Sequence, residues 1–200
     1  MTNIRLIGDV HGNYNRYREA VGDHPLTVQV GDYGMGFGMQ DPPEGHYFIR
    51  GNHDNPALCR MSPGFIEDGT LWEKEGIFFV GGAWSIDYRN RVPELDWWSD
   101  EEVSTLDFAK IYDNYKELKP RFVVTHDAPF VATGNLIDHT KTDSERWLKI
   151  NRTNSWLNLM FEAHQPEKWI FGHWHTSWED TLFGTEFRCL NINETYDLEV

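Results

Sequence analysis

Cysteine is scarce in this 200-residue chain: Cys59 and Cys189 are the only two, far apart and outside any C-x-x-C pattern. That excludes a disulfide framework and a zinc knuckle, and both are expected to be core thiols. Positive charge is short as well, 18 Lys and Arg against 32 Asp and Glu, for a formal net charge of −14. Such a surface repels a phosphate backbone, so extended nucleic acid is not an expected partner. No apolar run approaches membrane-spanning length, and Met1-Thr2-Asn3-Ile4-Arg5 shows no basic-then-apolar leader. The expectation is a cytoplasmic protein with no membrane partner. Pro/Ser-rich linkers, internal repeats and low-complexity stretches are also missing, and 40% hydrophobic content suffices for one core, so residues 1–200 are expected to form a single domain.

What the chain does have is five short blocks rich in metal-binding side chains: Gly8-Asp9-Val10-His11-Gly12, Gly31-Asp32, Gly51-Asn52-His53-Asp54, Thr125-His126-Asp127 and Gly172-His173-Trp174-His175. Each follows a short apolar run, at residues 4–7, 26–30, 47–49, 122–124 and 169–171, whose β-branched and aromatic content predicts a buried strand. Four of the five blocks open on glycine, which permits a tight turn and close backbone approach. Ligands carried on such turns would converge at one edge of a sheet.

Between the blocks, residues 13–21 read as a short helix and the Gly-, Pro- and Met-rich segment 33–45 as a loop. Residues 77–82 and 84–87 read as strand, followed by an excursion through Arg89, Arg91 and Trp97-Trp98. Ser99 or Asp100 is the expected cap of a helix with Glu101 and Glu102 in its first turn and Val103, Leu106, Phe108, Ile111, Tyr112 and Tyr115 on its buried face. A second long helix is expected over about 143–164, stopped by Pro166. The tail from Thr181 to Val200 alternates short strands with turns at Gly184 and Asn193. Strands at both ends with helices between them predict an α/β fold, a two-layered β-sandwich flanked by helices.

The donor types suit a two-metal site, which needs oxygen and nitrogen ligands for each ion and one carboxylate to hold the pair together. Asp9 and His11 stand two apart on one turn and can bind the same ion. Asp32 is the natural bridge, Asn52 offers a neutral carbonyl oxygen, and His126, His173 and His175 bring imidazoles from the later strands.

In order and spacing these blocks closely resemble the calcineurin-like metallophosphoesterases, over essentially the whole chain. Gly81-Gly82-Ala83-Trp84-Ser85-Ile86-Asp87, Trp97-Trp98 and Thr125-His126-Asp127-Ala128-Pro129 resemble bacterial and bacteriophage members. The resemblance implies that Asp9, His11, Asp32 and His175 hold one metal and Asp32, Asn52, His126 and His173 the other. It also implies that His53 is no ligand but stands over the leaving-group oxygen, where it would donate a proton or hydrogen bond. Asp54 is expected either to orient His53 or to cap a helix begun at Pro56.

The resemblance divides at one point. Phosphoprotein phosphatases of this superfamily carry Asp-Arg-Gly after the second Gly-Asp, and that arginine grips phosphate; here Asp32 is followed by Tyr33-Gly34-Met35. Arg50, Arg89 and Arg91 are the candidates to contact substrate phosphate in its place. The Gly34-x-Gly36-x-Gly38 run lacks the helix pattern and basic residue of a phosphate loop and reads as a loop beside the site. His24, His46, His139 and His164 match no block and are expected in surface or satisfied polar roles.

The expected activity is therefore that of a dinuclear metal-dependent phosphoesterase acting on small phosphoesters, diesters before monoesters, by in-line attack of a hydroxide bridging the ions. Its cofactors are expected to be two transition-metal ions, manganese, iron or zinc. The alternatives are a phosphomonoesterase or Ser/Thr phosphoprotein phosphatase, a metal-dependent nuclease, or a binding scaffold, the last disfavoured by the retained His53.

Overall fold

The structure is a computed structural model that describes residues 2–140 and 151–200. Its first sheet has the order β10-β1-β2-β3, built from β1 (Asn3–Ile7), β2 (Thr27–Gln29), β3 (His46–Phe48) and β10 (Thr195–Glu199). The second runs β4-β5-β6-β7-β9-β8, from β4 (Thr70–Trp72), β5 (Ile77–Val80), β6 (Phe122–Thr125), β7 (Lys168–Phe171), β8 (Trp178–Leu182) and β9 (Thr185–Cys189). Strands β1, β2 and β3 are mutually parallel, as are β5, β6, β7 and β9. Parallel strands deliver their carboxyl ends to one edge, which is where each block begins.

Alternation along the strands explains the layering. In β5 and β6, Ile77, Phe79, Phe122 and Val124 pack against Ile4, Leu6, Val28 and Val30 of the facing sheet. The intervening Phe78, Val80 and Val123 turn outward to the helices α3 (Thr105–Leu118), α4 (Phe130–Thr140) and α5 (Arg152–Ala163). A third cluster, with Ile7, Tyr17, Tyr33, Phe48 and Cys59, lies between the first sheet, α1 (Tyr14–Val21) and the short α2 (Pro56–Cys59). The result is two sheets packed face to face with helices outside, the expected architecture. Both cysteines are buried and free.

Three expectations shift. Residues 84–87 form no strand: Gly82 turns the chain at φ +77°, and the Ser85 amide donates to the Glu101 side chain instead of to a strand neighbour. Helix α3 begins later than expected because Ser104, not Ser99 or Asp100, caps it, its Oγ accepting from the Asp107 amide at 3.2 Å. Glu101 and Glu102 therefore precede the helix, and Leu106 is exposed. Helix α5 is capped by Asn151, whose side chain accepts from the Asn154 amide; the part of the expected helix from 143 to 150 lies outside the described residues.

Candidate metal centre

Asp9 and His11 follow β1, Asp32 follows β2, Asn52 and His53 lie beyond β3, His126 follows β6, and His173 and His175 follow β7. Backbone hydrogen bonds knit these turns together: the Asp32 carbonyl accepts from the amides of Val10 and His11, and the His126 carbonyl from Gly172. His11, Asp32, His173 and His175 all have positive φ, between +48° and +65°. Each such residue costs on the order of 1–2 kcal/mol, and strain of this kind persists where the surroundings over-determine the backbone, often at functional sites. Two glycines let the turns close. A Cβ on Gly51 would collide with Asp32 Oδ1, and one on Gly172 with Asp9 Oδ1.

Side-chain ligand atoms of Asp9, His11, Asp32 and His175 lie within 4.8 Å of one another, a group able to hold a metal ion. His175 Nε2 is 3.0 Å from Asp9 Oδ2, and His11 lies 3.8 Å from carboxylate oxygens of both Asp9 and Asp32. The Nε2 atoms of His11 and His175 face each other at 2.8 Å. Asp9 and Asp32 are fully buried, yet among the described residues the Oδ2 of each accepts no well-aligned hydrogen bond. Buried carboxylate oxygens without donors are costly unless a cation meets them.

The remaining residues lie alongside. His126 Nε2 is 3.4 Å from Asp32 Oδ1 and 3.2 Å from Asn52 Oδ1, and the His126 and His173 rings are 5.1 Å apart. His126 Nδ1 donates to the Val30 carbonyl at 2.9 Å, which leaves Nε2 facing the site. Burial opposes charge on His126, but the Asp32 carboxylate outweighs it and pushes the imidazole up to about 10. His173 goes the other way, to about 3, because burial and the charge of His126 both favour its neutral form. Burial also opposes ionisation of Asp32, yet the imidazoles of His126, His53 and His11 hold its carboxyl well below the usual range.

His53 sits at the rim, its ring edge-on to His11 at 5.0 Å and its backbone amide donating to Asp32 Oδ1 at 2.8 Å. Burial lowers its pKa, with the nearby Arg91 acting in the same direction. Asp54 takes neither expected role. Its buried carboxylate accepts from the amides of Tyr33, Gly34, Met35 and Gly51, while Asn55 caps α2. This occupies the Gly34 and Met35 amides and leaves them unavailable to cradle phosphate.

The three arginines separate clearly. Arg50 is buried, paired with Asp68 and donating to the carbonyls of Asp100 and Glu101. Arg89 is exposed and lies over the Tyr88 ring. Arg91 alone of the three reaches the site: its Nη2 donates to His53 Nε2 at 2.5 Å, while Asp87 Oδ1 and the Asp96 carbonyl hold the guanidinium in place. His24, His46 and His164 are satisfied by local partners, and the His139 side chain lies outside the described residues.

Several supporting residues escaped sequence reasoning. Asn52 Nδ2 donates to Ser85 Oγ, which donates to Glu101. Asp127 binds Trp174 Nε1 and Asn154 Nδ2, tying the fourth and fifth blocks to α5. Ser85 could have been flagged, since it follows the apolar run of β5 as the blocks follow theirs; the role of its partner Glu101 had no local signal.

Residues 2–177 match the family model for calcineurin-like phosphoesterases. No curated protein matches the chain. Among solved structures it is similar to one from Streptococcus pneumoniae TIGR4, described as a conserved uncharacterized protein and predicted phosphoesterase. The two are 15% identical with a TM-score of 0.41, over 96% of this chain and 74% of that one. Among the described residues no helix is long and apolar enough to cross a membrane.

Proposed function

The chain belongs to the calcineurin-like phosphoesterase family, and from that premise we propose that it is a dinuclear metal-dependent hydrolase of small phosphoesters, diesters in preference to monoesters. The observation that carries this reading is the pair of buried carboxylates, Asp9 and Asp32, each with an oxygen that accepts no well-aligned hydrogen bond among the described residues, and both close to imidazole nitrogens. Asp9, His11, Asp32 and His175 would hold one ion and Asp32, Asn52, His126 and His173 the second. Mixed carboxylate, imidazole and amide donors suit manganese, iron or zinc better than magnesium. When bound, the pair supplies Lewis-acid stabilisation of phosphate oxygens and makes water acidic enough to serve as nucleophile near neutral pH.

The chain's own contribution is to position and to move one proton. The hydrogen bond to Val30 fixes the His126 tautomer, and the strained turns aim His11, His173 and His175 inward. His53 belongs to neither donor set. With Arg91 donating to its Nε2, the imidazole carries its proton on Nδ1. Phosphate engaging the Arg91 guanidinium would release Nε2, which would take up a proton from solvent water and give it to the departing alcohol oxygen.

Charge sets the substrate preference. Arg91 is already paired with Asp87, so it adds little net positive charge, and a monoanionic diester is better matched than a dianionic monoester. Monoester hydrolysis is the second reading, favoured by the placement of Arg91 beside His53. The test is kcat/KM of metal-reconstituted protein on an aryl diester, an aryl monoester, a cyclic nucleotide and a phosphopeptide, at one metal and pH. The diester should lead, and a clear preference for the phosphopeptide would overturn the assignment.

A further inference from the structure

Asn52 offers the proposed centre an amide, and an amide can face it either way round: Oδ1 presents lone pairs to a cation, whereas Nδ2 presents hydrogens and cannot bind one. We propose that Glu101, acting through Ser85, is a positioning residue that fixes the Asn52 amide with its oxygen toward the centre. The proposal rests on the dinuclear reading above.

The direction of each hydrogen bond follows from donor counting. Glu101 Oε1 accepts the Ser85 backbone N–H at 2.9 Å, and Oε2 accepts the Ser85 hydroxyl at 2.5 Å. Having given its one proton to Glu101, Ser85 Oγ can only accept, and it accepts from Asn52 Nδ2 at 2.9 Å. That commits the nitrogen, so Oδ1 faces His126 Nε2 at 3.2 Å. A flipped amide would set Oδ1 against a hydroxyl oxygen with no hydrogen to share and turn two N–H groups toward His126. Water cannot repair that mismatch, because Asn52, Ser85 and Glu101 are all buried.

The backbone that carries Glu101 is itself held from behind. Arg50 donates to the carbonyls of Asp100 and Glu101 while its guanidinium pairs with Asp68. The adjoining Gly82 amide binds the Arg50 carbonyl at 2.7 Å. Packing alone would favour an apolar side chain at position 101, since a buried carboxylate is costly; its two acceptor oxygens are what the Ser85 contacts use.

The test is titration of metal-free protein with Mn²⁺ alone, reading the number and affinity of bound ions. Wild type should bind two. Glu101→Gln has nearly the same shape but one acceptor in place of two. It should weaken one of the two ions by about 10- to 100-fold and leave the other unchanged. Ser85→Ala should act in the same direction, and it carries the test if Glu101→Gln does not fold. In the Asn52→Asp background either side-chain atom facing the centre is an oxygen, so adding Ser85→Ala should cost less than about threefold. Wild-type binding of both ions in both variants, equal loss of both ions, or an undiminished cost in the Asn52→Asp background would each overturn the positioning role. If wild type itself bound one ion, the dinuclear reading would fail first and this inference with it.

Discussion

Removing the Arg91 guanidinium should weaken turnover of monoesters more than of diesters and shift the pH profile. Its side chain is only 6% exposed, and three contacts hold it: Asp87 at 2.8 Å, the Asp96 carbonyl at 3.2 Å and His53 Nε2 at 2.5 Å. A hydrogen bond from a charged donor contributes about 1.5–3 kcal/mol, which corresponds to roughly a ten- to hundredfold loss in kcat/KM. Arg91→Ala should fall near the lower end with an aryl diester and near the upper end with an aryl monoester, whose second charge uses the guanidinium more fully. Arg91→Lys should recover part of the loss, since it keeps the charge but not the planar fork. Burial is the main cause of the low His53 pKa and Arg91 adds to it. Without Arg91 the limb of the kcat/KM profile due to His53 should therefore move to higher pH. Activity within about twofold of wild type on both substrates, with an unmoved profile, would refute the role.

Further perturbations separate binding from chemistry. Asp32→Ala should lose both ions, whereas His53→Ala should retain them and lose about a hundredfold or more in kcat; elemental analysis beside steady-state kinetics reads the contrast, and metal loss in His53→Ala would make His53 a ligand. Gly172→Ala places a Cβ against Asp9 Oδ1 and 3.1 Å from Val30 Cγ2. It should weaken Mn²⁺ binding and lower stability by about 1–3 kcal/mol, and unchanged affinity and Tm would contradict the close approach. In the metal-free protein burial opposes a charged His126, but Asp32 pushes it up to about 10, so it carries a proton at pH 7 that a bound ion must displace. Mn²⁺ affinity should then rise by up to about tenfold per pH unit between pH 7 and 9, with proton release in calorimetry; a pH-independent affinity would refute this.

The parts of the fold legible in the sequence were those written in local chemistry. Apolar runs ending in Gly and Asp marked β1 and β2, and the turns at Gly184 and Asn193 marked the tail because each needs positive φ. The start of α3 was obscured by competing caps: Ser99, Asp100 and Ser104 all precede an apolar period, and only tertiary contacts decide that Glu101 turns toward Ser85 and Glu102 toward Thr153. Helix α4, at Phe130–Thr140, had no reading as an element, since Thr133 and Gly134 interrupt its short apolar run. Within the site the donor types could be listed from the blocks. What Asp54 does, and which of Arg50, Arg89 and Arg91 reaches His53, depends on partners far along the chain, and no local pattern carries that.

In the proposed function this chain works with two ions held around Asp32. The most direct test is to titrate metal-free protein with Mn²⁺ while following aryl diester hydrolysis and bound metal together. Negligible turnover without metal is expected, with a rate that saturates at two ions per chain. Full activity with one ion, or activity that survives complete chelation, would contradict it.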